Sequence, residues 1–228
     1  SAEHLGPNNY YYWDNFWGLA GAREFADLLR RQENQEYASR VELLADEYEK
    51  CILASIESVS AGLSQGAIPA APGRRMDAGA VGSLAADYPL HLFPAGDPRI
   101  MKTVRYILEN CMLDHGFFHD MTHSGINPYL TLQLAQVLLR AGDPRFAQLV
   151  HRVAELASPT GQWPEAVHPL TDGGCMGDGQ HGWAAAEWVL MMRALFVREE
   201  GGSLVIGAGL LPEWMVPGNK LAFGPTPT

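Results

Sequence analysis

Positive charge is in short supply in this sequence. Lys and Arg number 16 against 26 Asp and Glu, leaving a formal net charge of −10. Nucleic acid and anionic membrane both select for basic surface, so neither is an expected partner. Cysteine is scarce as well. Cys51, Cys111 and Cys175 stand far apart, odd in number and without a C-x-x-C pair. That spacing indicates neither a disulfide framework nor a zinc ribbon, and free thiols fit a reducing compartment. No apolar run approaches the length of a membrane span, and no basic-then-apolar leader opens the chain. The expectation is a soluble, cytoplasmic protein. Two motif fragments also fall short. Ile206-Gly207-Ala208-Gly209 lacks a third glycine and has too little chain after it for a dinucleotide fold. Gly62-Leu63-Ser64-Gln65-Gly66 spells a nucleophile elbow, but it follows a long helix rather than a strand.

What is present is 228 residues, 47% hydrophobic, enough for a well-buried core. Helical periodicity dominates. The apolar spacing predicts a helix from about Phe16 to Arg31, with Leu19, Ala22, Ala26 and Leu29 on one face. Asn34 can cap a longer second helix whose stripe is Tyr37, Val41, Leu44, Tyr48, Cys51, Ser55 and Val59. A helix of small residues should run from Asp77 to about Leu92, interrupted at Pro89. Asp97-Pro98, Asn127-Pro128 and Asp143-Pro144 each supply an N-cap followed by proline at the first helical position. The string Ala-Gly-Asp-Pro-Arg occurs twice, at 95–99 and 141–145, as an array of helix pairs would produce. A last helix, Trp183 to about Arg198, is apolar nearly all round and should be buried on most sides. Gly201-Gly202 should end it, and Ser203–Gly207 reads as a strand. The expected fold class is all-α, with residues 1–200 helical and 201–228 opening a β region.

Between the last two helices lies the stretch that carries chemistry. Residues 162–183 hold Trp163, Trp183, His168 and His181 with the carboxylates Glu165, Asp172 and Asp178. Gly and Pro are too frequent there for helix or strand, and so many aromatics argue against disorder. An aromatic plate beside an acid suits a sugar. The ring stacks on the sugar's apolar face while the acid works on the glycosidic oxygen.

In this loop Glu165 is followed by Pro169, Thr171, Gly173, Gly174 and then the aromatic-started helix at Trp183. That order resembles the six-hairpin toroid glycosidases, the group of trehalases, glucoamylases and N-glycan-processing glucosidases. The resemblance implies an (α/α) toroid of helical hairpins, present here as its C-terminal half. It implies Glu165 as the catalytic base. It also implies a catalytic acid in a tryptophan–aspartate segment, matched by Trp13-Asp14 before the first helix. Departures are His168 and Asp172 within the loop, and Asn15-Phe16-Trp17 where trehalases follow the acid with serine–x–arginine.

The expected activity is therefore hydrolysis of a glycosidic bond by acid–base catalysis with inversion. Glu165 and Asp14 are the candidate catalytic pair, although Asp14 also stands where an N-cap belongs. Trp13, Trp163 and Trp183 are candidate stacking plates. Asp77, His119, Asp178 and His181 are candidate ligands for sugar hydroxyls. His115, His119 and His123 recur at four-residue steps but sit among glycines, so a metal site is not expected. No cofactor is expected. A phosphorylase on the same fold, with Arg74 and Arg75 holding phosphate, is one alternative. A non-catalytic sugar-binding or interaction toroid is the other. The exposed edges of a half-toroid would need covering, which makes a homo-oligomer an expectation too.

Overall fold

A computed structural model describes residues 9–60, 65–121, 124–222 and 224. Gly62, Leu63, Ser64 and His123 lie outside the described residues. The chain divides into two compact units: Ser1–Met112 with His119–His123, and Leu113–Phe118 with Ser124–Thr228.

In the first unit, α1 (Tyr12–Arg31) and α2 (Gln35–Ser60) form an antiparallel hairpin. Tyr12 shares a hydrogen bond with Ser55, and Arg23 pairs with Glu49. α1 starts four residues before the expected Phe16. Its N-cap is Tyr11, which makes no side-chain cap bond, and Asp14 lies inside the first turn. A carboxylate there still favours the helix, because it faces the positive end of the helix dipole. Asn34 accepts a hydrogen bond from the Tyr37 N–H, so the predicted start of α2 holds.

The buried face of α2 does not coincide with the expected stripe. Ala38, Ala45, Ile52 and Ile56 are buried, whereas Tyr37, Leu44 and Cys51 are exposed. The inner face carries two isoleucines as well as two alanines, so it is turned from the expected stripe rather than set by side-chain size. The small-residue segment forms a 3₁₀ helix, Ala78–Ala86, which ends before the cis Tyr88–Pro89 bond. α3 (Pro98–Asn110) begins as predicted, with Asp97 accepting from the Arg99 N–H.

The second unit is built on α4 (Pro128–Arg140), α5 (Phe146–Glu155) and α6 (Gly182–Phe196). Asn127 caps α4 through the Leu130 N–H at 2.9 Å. Every residue of α4 from Thr131 to Arg140 is buried. The all-round burial expected for the last helix belongs to α4 instead. α6 buries Ala184, Glu187, Met191, Ala194 and Leu195 but leaves Trp183, Val189 and Leu190 exposed.

A feature not foreseen in the sequence is a five-stranded sheet of very short strands. These are β1 (Met112–Leu113), β2 (Gly116–His119), β3 (Gly125–Ile126), β4 (Ala166–Val167) and β5 (Gly174–Met176), in that order across the sheet. The stretch from Gly116 to Ile126, and the Glu165 loop, expected to be neither helix nor strand, both contribute strands. Ile126 pairs with Val167, Ala166 with Met176 and Val167 with Gly174, with a bulge inside β4. β6 (Val197–Glu200) follows α6 directly and pairs with β7 (Ser203–Ile206). Gly201 and Gly202, both at positive φ, form the two-residue turn of this hairpin rather than a helix end. Among the described residues, no helix is long and apolar enough to cross a membrane.

Candidate active site

The Glu165 loop is held at several points. Trp163 points inward, only 4% exposed, and its indole N–H donates to the Val153 carbonyl at 2.8 Å. Its ring rests against Trp188 at 5.3 Å. A side chain so placed has no face left for a sugar, so Trp163 is a structural anchor and not the expected plate. The Trp163 carbonyl accepts from the His181 N–H at 2.8 Å, which ties the start of the loop to its end.

The Glu165 N–H donates to the Met176 carbonyl at 3.1 Å. On the other side Gly177, at φ +78°, lets the chain pass close; a Cβ there would lie 3.3 Å from the Glu165 nitrogen. The backbone of Glu165 is thus fixed from two directions. Its side chain is half-buried and, among the described residues, enters no hydrogen bond or ion pair. A carboxylate on a fixed backbone, with no hydrogen-bond or ion-pair partner among the described residues, is available to take a proton.

Around it the same loop gathers several of the predicted residues. Asp178 is exposed and accepts from the Gln180 N–H at 2.9 Å. His181 is half-buried, and its Nδ1 is shielded from solvent without a hydrogen-bond partner. Burial lowers the His181 pKa from the ordinary 6.5, while the Glu165 and Asp178 carboxylates pull it the other way. Trp183 is 62% exposed, flanked by His181 at 6.1 Å and by Tyr129 edge-on at 5.4 Å. Its ring is open to solvent. Burial, with Glu187 adding to it, pushes the Tyr129 phenol up to about 12, so it stays neutral. Tyr129 escaped the sequence reading, although its place just after Asn127-Pro128, in the first turn of a predicted helix, could have marked it.

The His181 shift has a consequence for stability. With its folded-state pKa below 6.5, the unfolded chain binds the extra proton first as pH falls. Stability is therefore expected to decline as pH drops through that region, and His181→Gln should lessen the decline. Urea midpoints between about pH 7.5 and about pH 5.5 check this; equal slopes in both proteins would contradict it.

The other candidates lie in the first unit. Asp14 is exposed on α1, and among the described residues its carboxylate makes no hydrogen bond or ion pair. Trp13 is half-buried, 5.7 Å from Trp17 and packed over Gly82. Asp77 is committed: it caps the 3₁₀ helix through the Gly79 N–H and pairs with Arg74 at 2.6 Å. His119 ends β2 and is buried. His115 stands in a turn at positive φ and His119 in a strand, so no helical histidine face forms.

No known family's model matches this chain, and no curated protein matches it. Solved structures do. A glycosidase matches with a TM-score of 0.64 at 17% identity, over 82% of this chain and 52% of its own. A glycosidase in complex with glucose matches with a TM-score of 0.55 at 16% identity, over 86% and 47%. A bacterial glucoamylase complexed with acarbose matches with a TM-score of 0.60 at 14% identity, over 82% and 33%. At such identities the likeness shows the fold, that of the helical toroid glycosidases. The chain spans about half the length of the first of these glycosidases.

Proposed function

We propose that this chain belongs to a glycoside hydrolase and supplies its general base, Glu165. The observation that carries this reading is the half-buried, uncommitted Glu165 carboxylate. Its backbone is fixed by β5 and Gly177, and it shares a loop with Asp178, His181 and the open face of Trp183. Glu165 takes a proton from water as the water attacks the anomeric carbon. Asp14 is the acid that protonates the departing oxygen. An inverting reaction of this kind needs the two carboxyl groups about 6.5–9.5 Å apart, which leaves room for the water. Trp183 and Trp13 stack on sugar rings, and Asp178 with His181 binds hydroxyls. The glucose and acarbose held by two of the similar structures support a glucose-containing substrate. In this reading residues 1–200 are the toroid region and 201–228 open a β region. Three free cysteines support a reducing, cytoplasmic setting.

In the phosphorylase alternative Arg74, which pairs with Asp77 at 2.6 Å, and Arg75 would hold phosphate. Release of reducing sugar from α-linked gluco-oligosaccharides without phosphate separates the two chemistries. Sugar binding with no turnover would instead favour a non-catalytic toroid. Asp14 has its own test. Asp14→Asn should lower turnover of an alkyl glucoside by about 10²-fold or more while largely sparing an aryl glucoside whose leaving group needs no proton. Equal losses on both substrates would remove Asp14 from the acid role.

A further inference from the structure

We infer that Arg152 is a positioning residue for Glu165: it clamps the turn between β4 and β5 to the turn at Asp114-His115. This rests on the reading of Glu165 as base. From α5, the Arg152 Nη2 lies 3.2 Å from the Asp114 Oδ2 and 4.0 Å from the Asp172 Oδ1. Its Nη1 lies 3.4 Å from the Glu155 Oε2, one turn along the same helix. The Arg152 side chain is 15% exposed, whereas the three acids reach it from the solvent side. Both bridged turns contain an aspartate in the left-handed region, Asp114 at φ +48° and Asp172 at φ +51°. Neither conformation is one that a non-glycine residue prefers, so each turn gains from an outside hold.

The need for a clamp follows from the strand it steadies. β4 is two residues long, directly follows Glu165 and has a register irregularity between Ala166 and Val167. A strand that short specifies its register weakly, and a slip of one residue would turn side chains to the opposite face. The far end of the β4–β5 hairpin is closed by the His168 N–H on the Gly173 carbonyl and the Asp172 N–H on the His168 carbonyl. Holding Asp172 in place therefore holds β4 in register, and with it the backbone that aims Glu165. Ion pairs with exposed acids add little to global stability and are weakened by salt. The effect of losing Arg152 should accordingly fall on geometry more than on folding.

The test combines kinetics with amide hydrogen exchange on the intact chain. In Arg152→Gln, kcat should fall about tenfold with KM unchanged, as expected for a small misplacement of a catalytic group. Amides of residues 166–176 should exchange about tenfold faster while the melting temperature moves little. Asp172→Asn should act in the same direction and Glu155→Gln should not. Arg152→Lys should restore part of the rate, because a point charge reaches one acid but not both turns. Unchanged exchange in Arg152→Gln overturns the clamp. Faster exchange with unchanged kcat overturns the positioning role. If the wild type hydrolyses nothing, the glycosidase reading fails on its own, and the exchange data still decide whether Arg152 holds the hairpin.

Discussion

Glu165→Gln should lower kcat on a glucosidic substrate by about 10³-fold, within the range that removal of a general base produces. The amide keeps the shape of the side chain but cannot take the proton from water. Folding should be almost untouched, since the carboxylate makes no hydrogen bond or ion pair among the described residues. KM should change little, because the interaction lost is one made chiefly in the transition state. Kinetics beside a thermal melt separate the outcomes. A normal melt with full activity would show that some other group activates the water. A collapsed melt would show that Glu165 is structural, which its lack of hydrogen bonds and ion pairs among the described residues argues against.

The second large effect is expected at a residue with no chemistry of its own. Gly125 begins β3, where the chain passes hard against β4 and β5. A Cβ there would lie 2.7 Å from the Cys175 sulfur, 2.9 Å from the Ala166 Cβ and 3.1 Å from the Val167 carbonyl oxygen. The exposed Cys175 side chain on β5 can turn aside, but a carbonyl within a paired strand cannot move without carrying its ladder along. Gly125→Val should cost roughly 3 kcal/mol, the upper part of the range for overpacking a tight site. In a chain of this size that lowers the melting temperature by about 6–12 °C. Activity should fall further than stability, because Ala166 adjoins Glu165. A variant with wild-type melting and turnover would mean that the three strands can separate freely.

Helix starts were the most legible part of the chain. Asp97-Pro98 and Asn127-Pro128 each form the cap that their chemistry dictates, because a short acceptor side chain before proline leaves few alternatives. The repeated Ala-Gly-Asp-Pro-Arg also proves structural. In both copies the glycine has positive φ and the aspartate grips the arginine two residues on, Asp97 with Arg99 and Asp143 with Arg145. In the second copy the grip closes a turn, and α5 begins only at Phe146.

Helix faces were less legible. Leu43, Leu44 and Tyr37 of α2 are large and apolar yet exposed, while Ala38 and Ala45 take the interior. Ile52 and Ile56 are buried beside them, so the buried face is rotated from the expected stripe. The sheet was illegible for a simpler reason: strands of two to four residues are too short to show alternation, and their glycines read as loop. Within the candidate site, residue types singled out a loop but not the direction each side chain faces. Trp163 and Trp183 are alike on paper. One is buried and bonded to Val153 and the other is exposed, a difference set by packing against Trp188 and Tyr129.

The role of Glu165 can be tested most directly by removing its carboxylate and offering a substitute. Glu165→Ala, given an aryl α-glucoside and sodium azide, should regain turnover in proportion to azide, and proton NMR should show a glucosyl azide of inverted configuration. A rate that stays the same with and without azide, or that was never lost in the variant, would contradict the assignment of Glu165 as the base.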